Sequence, residues 1–201
     1  MGRNPRNKRT KETVALVGDG QTERIYFANV RDTDRPVNLA IFPDYPRKIG
    51  SYKGVVERAI ALKENGYDHV YALIDMDKII HENRMMEYRQ SKMTVEQAGV
   101  LILENNPCFE IWILLHFIPT GRLFANCEDV ITEIKKIDQL ANYQKGERFL
   151  TAARLYERYK QELRENAIPN AQRLEVARQD HSDRYPRAET FRFFEWYFKN
   201  H

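Results

Sequence analysis

Two aspartates close a strongly apolar stretch, Val70 to Lys78, which reads VYALIDMDK. Side chains two apart on an extended chain point to the same side. Asp75 and Asp77 therefore converge if strand geometry persists through Met76. Like charges held together repel and are costly to desolvate, and a divalent cation would remove that cost. Hard cations take oxygen ligands, and magnesium usually takes one or two carboxylates plus water and phosphate. Asp-x-Asp alone is also compatible with a solvated turn or a helix N-cap.

A second acidic stretch is VGDGQTE, Val17 to Glu23, where Asp19 lies between glycines as a strand turns into a helix. Glycines permit tight turns and close backbone approach. Thr22 is a candidate helix cap, and Glu23 in the first turn would suit the helix dipole. Alternatively Asp19, Glu23 or both join Asp75 and Asp77 around a cation. No Gly-Lys-Ser/Thr follows, so this is not a phosphate-binding P-loop. The third stretch, NNPCFEIWILLHF from Asn105 to Phe117, sets Glu110 among apolar residues, where a buried acid needs a partner. His116 lies off the helical face of Glu110 and is expected to be a satisfied core or edge histidine. Lys78 is a candidate to neutralise charge on a phosphate, or a plain solvated lysine; Lys145 is a weaker candidate of the same kind.

The elements that would position these groups are short apolar strands alternating with helices. Strands are expected at Thr13–Val17, Val37–Phe42, His69–Ile74 and Val100–Leu103, with helices near residues 22–31, 51–64 and 82–90. That order is the pattern of a parallel sheet, and the continuously apolar strands fit burial on both faces. Functional groups of such sheets lie beyond the C-terminal strand ends, which places Asp19, Asp75 and Glu104 along one edge. Further helices are expected at 127–137, 146–164, from about Asn170, and at 188–199. The fold expected is α/β: about four mainly parallel strands flanked by helices, plus a C-terminal helical layer. Its divisions are an arm at 1–11, a core at 12–118 and a helical extension at 119–201.

The 201 residues suffice to bury roughly 70% of the unfolded surface without a metal or disulfide staple. With 42% hydrophobic and 30% charged residues the balance is that of a soluble globular protein. No run is long enough to span a bilayer and no secretory signal is visible, so a cytoplasmic location is expected. Cys108 and Cys127 are expected to be plain thiols. Net charge is only +3, but Arg3, Arg6, Lys8, Arg9 and Lys11 form an arm with no acid. Such an arm is either a solvated tail or a phosphate-seeking one.

Three blocks carry a family resemblance: GDGQTERIYF (Gly18–Phe27), LIDMD (Leu73–Asp77) and NNPCFEIWILLHF. Together with the looser Tyr143-x-Lys145 and Ala167-x-x-x-Ala171 patterns, they make the chain resemble the RloB-like proteins from about residue 11 onward. The resemblance implies a Toprim-type core, a role in phage defence and an ABC-type ATPase partner. Toprim cores share a glutamate after the first strand and an Asp-x-Asp after the third, which hold magnesium for phosphoryl chemistry. Carried over, Asp75 and Asp77 take the Asp-x-Asp role, Glu23 matches the second acid of the first block, and Asp19 stands where glutamate is expected. Aspartate is one methylene shorter, so the backbone must come closer, water must bridge, or activity falls.

The reading is a nuclease dependent on Mg2+ or Mn2+ that cuts DNA or tRNA as an abortive-infection effector. Asp75, Asp77 and either Asp19 or Glu23 would hold the ion. Glu110 would serve as a supporting acid or further ligand, and Lys78 as a charge neutraliser. The arm, with Arg47, Arg148, Arg154 and Arg173, would hold the nucleic-acid backbone. Two rivals are a non-catalytic module of an ATPase-containing complex and a primase-like nucleotidyl transferase. Oligomeric state is left open.

Overall fold

The computed structural model describes residues 11–44, 51–178 and 182–201. Most of the basic arm (Arg3, Arg6, Lys8 and Arg9) and Arg47 lie outside them. Along the chain run β1 (Glu12–Val17), α1 (Gln21–Asp34), β2 (Leu39–Asp44), α2 (Tyr52–Glu64), β3 (His69–Asp75), α3 (Asp77–His81), α4 (Met85–Gln97) and β4 (Leu101–Asn106). Then follow α5 (Glu110–Leu115), α6 (Cys127–Ile134), α7 (Glu147–Ala153), α8 (Leu155–Arg158), α9 (Lys160–Glu162), α10 (Ile168–Arg178), β5 (Arg187–Ala188) and α11 (Thr190–Asn200).

The strands form one sheet in the order β2-β1-β3-β4-β5. The first four are mutually parallel and β5 runs antiparallel to β4. This is the α/β, mostly parallel architecture expected, with a fifth strand added. Two residues are too few to show a period, which is why β5 escapes a reading of pattern. The expected helix at 146–164 is broken into pieces, the first break falling at Arg154, whose φ of 44° is left-handed.

Successive residues of each central strand enter opposite cores. Val14, Leu16, Tyr71 and Leu73 pack with Tyr26 and Phe27 of α1, Trp112 of α5, and Phe193 and Phe194 of α11. Ala15, Val17, Val70, Ala72 and Ile74 pack with Val55 and Ala59 of α2 and Tyr88 and Val95 of α4. Burial on both faces explains why these strands are apolar throughout rather than alternating. No helix among the described residues is long and apolar enough to cross a membrane.

From β1 the chain steps to β2 on one side and to β3 on the other. The crevice of an open parallel sheet forms where the order reverses in this way, beyond the C-terminal ends of the two strands. Asp19 follows β1 and Asp75 ends β3, so two acids flank that point.

Glu104 does not join them. The strand β4 runs three residues past its apolar stretch, and Glu104 turns to Arg187 of β5 (2.8 Å), Lys92 (2.8 Å) and the Tyr88 hydroxyl (2.9 Å). Burial works to raise its carboxyl, but Arg187 and Lys92 outweigh that and hold it below the ordinary range. It is a structural anion that fastens the sheet edge.

Candidate metal centre

The site begins at the turn between β1 and α1. Gly20 occupies the N-cap position of α1 with extended backbone (φ −104°, ψ 146°), so its lack of a side chain matters for space, not for dihedral freedom. A Cβ at Gly20 would lie 2.7 Å from Glu23 Cδ and overlap its carboxylate; at Gly18 it would be 3.3 Å from Glu23 Oε1. The two glycines leave room for Glu23, the third residue of α1, to fold back over the turn. There it meets Asp19 and Asp75. One oxygen from each of Asp19, Glu23 and Asp75 can be chosen so that all three lie within 4.8 Å of one another.

Asp75 is fixed by the backbone N–H of Phe109, which donates to Oδ1 at 2.9 Å. The next residue breaks the strand. Met76 is helical (φ −93°, ψ −15°) and its N–H donates to Asn105 O and Pro107 O. The same-side rule for residues two apart thus fails here, and Asp77 becomes the first residue of α3. Its Oδ1 accepts the Lys78 N–H at 2.6 Å. Asp77 stands outside the three-carboxylate cluster but lines the same cavity of about 370 Å³, as do Lys78, Arg84 and Lys145.

Glu110 lies behind the cluster, fully buried, with each oxygen engaged. Oε1 accepts from Thr22 Oγ1 (2.9 Å) and the Tyr143 hydroxyl (3.2 Å), and Oε2 lies 3.1 Å from Lys145 Nζ. Thr22 therefore does not cap α1; its hydroxyl orients Glu110. Burial disfavours the Lys145 ammonium, but Glu110 and Asp75 outweigh it and hold its pKa above the ordinary lysine value. His116 is a satisfied core histidine, as expected. Its Nδ1 donates to Trp112 O (2.9 Å), Nε2 faces the Tyr26 hydroxyl (3.4 Å), and burial pushes its pKa down to about 4.

The acids are strongly perturbed. Burial, then Glu110 and Asp19, push Glu23 up to about 8. Burial, then Glu23, Glu110 and Asp19, push Asp75 well above the carboxylate range. Burial also raises Asp19, with Lys78 opposing it. Asp19, raised chiefly by burial, and Glu23 and Asp75, raised by burial and by neighbouring acids, form an all-oxygen donor set suited to a hard divalent cation.

The family model for RloB-like protein matches residues 14–193. The chain is a member of the RloB-like family. No curated protein and no solved structure matches it. All three motif blocks lie inside the span of the RloB-like match, and each supplies part of the site: Asp19 and Glu23, then Asp75 and Asp77, then Glu110.

In this RloB-like chain the sequence marks Tyr143 only by the Tyr143-x-Lys145 pattern, and Lys145 by that pattern and as a weaker candidate to neutralise phosphate charge; the structure sets both against Glu110. The cysteines depart from expectation. Cys108 and Cys127 are joined in a disulfide across a separation of 19 residues. Two thiols far apart in a chain with no cysteine motif give no hint of pairing. Their Cα atoms are 5.5 Å apart because Cys108 precedes α5 and Cys127 begins α6, two helices that pack together. Cys108, Glu110 and Cys127 also form a compact group of potential ligand atoms. Bonded to each other, however, the sulfurs are not thiolates, and Glu110 is already held by Lys145.

Proposed function

We propose that this protein is a Mg2+- or Mn2+-dependent nuclease with a Toprim-like core, acting on DNA or tRNA as the effector of a phage-defence system with a partner ATPase. The observation that carries the reading is the meeting of Asp19, Glu23 and Asp75 within 4.8 Å at the reversal of strand order. The Lys145 ammonium there is already committed to Glu110. Asp19, Glu23 and Asp75 would hold the ion, with Asp77 at the rim. A divalent ion so held supplies Lewis-acid activation of a phosphodiester and of its attacking water.

The chain's own groups do the rest. Lys78 is exposed and borders the cavity, where it meets phosphate oxygens as a point charge. Thr22 and Tyr143 fix the orientation of Glu110, and Lys145 pairs with its other oxygen behind the ligands. The short side chain of Asp19 is accommodated because Glu23 reaches back over Gly20 to meet it.

The test incubates purified protein with plasmid DNA and with total tRNA, in MgCl2, MnCl2 or EDTA. Cutting that requires the metal and disappears in Asp75→Asn supports the reading. Absence of cutting of either substrate, with partner binding unaffected by Asp75→Asn, supports the non-catalytic module instead. Incorporation of label from a nucleoside triphosphate points to a transferase.

A further inference from the structure

A second cavity of about 390 Å³ adjoins the metal centre, with Asp77 bordering both. We propose that it seats the base of the nucleotide whose phosphate lies at the acids, and so selects an unpaired nucleotide. This rests on the phosphodiester reading above.

The two cavities differ in kind. The first is lined by acids and cations. The second is lined by Ile80, Leu123, Phe124 and Ala125 together with His81, Asn106 and Arg184; the Asn106 amide N–H already donates to Tyr185 O at 2.8 Å, which leaves His81 and Arg184 to meet a ligand. Its size falls within the range of about 300–1,000 Å³ usual for small-molecule sites. Leu123 is 60% exposed here, beside the buried Phe124. Arg122 sits over the Phe124 ring at 5.3 Å. Arg184 is exposed and makes no ion pair among the described residues. A nucleobase has apolar faces and a polar edge, and matches an apolar wall with donors at its rim. A base in a duplex has its faces stacked and its edge paired, so only an unpaired or flipped base can enter. The shared Asp77 provides continuity, because it borders both cavities at the start of α3.

The test needs no cleavage. The full chain in MgCl2 is titrated calorimetrically with adenosine 5′-monophosphate and with ribose 5-phosphate, its counterpart lacking the base. The nucleotide is expected to bind about fivefold or more tightly, the low end of what one stacked base contributes. Ala125→Leu, which fills the cavity, and Leu123→Ala, which removes a wall, should each abolish most of that advantage while leaving ribose 5-phosphate unaffected. Both positions are exposed, so the variants should fold, as a melting curve verifies. Equal binding of the two ligands, or an advantage that survives both variants, overturns the base site and leaves the phosphate reading standing. If neither ligand binds, the phosphate reading fails and the base site with it.

Discussion

Lys145 Nζ lies 3.1 Å from Glu110 Oε2, joining a half-exposed ammonium to a glutamate that has no solvent exposure at all. Removing the cation strands a buried charge, while removing the charge from the acid leaves a lysine that can reach water. Lys145→Met should therefore destabilise by on the order of 2 kcal/mol. That is less than the roughly 3–5 kcal/mol of fully buried pairs, because the ammonium is partly solvated. Glu110→Gln, which can keep the Thr22 and Tyr143 contacts, should cost less. Urea denaturation of both variants at pH 8 checks the order; a larger loss in Glu110→Gln contradicts it.

Holding three acids together without a cation costs either mutual repulsion or proton uptake, so replacing one with its amide should relieve strain. Asp75→Asn retains an oxygen for the Phe109 N–H and should raise the melting temperature in EDTA. Each ~1 kcal/mol gained shifts it by roughly 2–4 °C for a chain of this size. Magnesium should raise the wild-type melting temperature by ligand linkage and do much less for the variant. Scanning fluorimetry with MgCl2 and EDTA measures both effects, and identical curves in all four conditions would falsify a shared cation site.

The raised carboxyls also make stability depend on pH. Glu23 titrates near 4.5 when unfolded and at about 8 when folded. Between these values the folded state holds more protons, so stability falls as pH rises. In EDTA the melting temperature should decline from pH 5 to pH 8. Magnesium favours the ionised acids and should flatten that decline, with its largest stabilisation at pH 8. A melting temperature that rises across this window in EDTA would contradict the assigned direction.

Gly20 marks where the turn must yield to a side chain. Gly20→Ala places a methyl group against the Glu23 carboxylate, and overpacking of this kind costs roughly 1–3 kcal/mol. Because the group displaced is a proposed ligand, the magnesium-induced shift should shrink along with stability. The shift and the urea midpoint, measured together, test this; a variant with unchanged magnesium response shows that Glu23 takes no part in binding.

The parts of this site that sequence revealed are those governed by short-range rules. β1 and β3 are apolar on both faces, so their ends, and hence Asp19 and Asp75, could be placed without coordinates. Asp77 was expected to share their direction, and it does not, because Met76 turns helical to satisfy its N–H with Asn105 and Pro107 from the neighbouring strand's end. Glu104 looked like a site acid by position, but its partner Arg187 belongs to a two-residue strand with no visible period. Thr22 had the type and position of a cap, yet its hydroxyl answers to Glu110, far along the chain. The disulfide was invisible for the same reason. In each case the deciding contact is tertiary, and local pattern carries no trace of it.

Arg178 and Arg187 reach Glu104 from the last stretch of the chain. During synthesis every acid of the site has therefore left the ribosome while Glu104 still has Lys92 as its only cation among these partners. A truncated product halted in that interval has the full set of acids but an unsecured sheet edge next to Asp75. A fragment ending before Arg178 should therefore be cut faster by an added protease than the full chain.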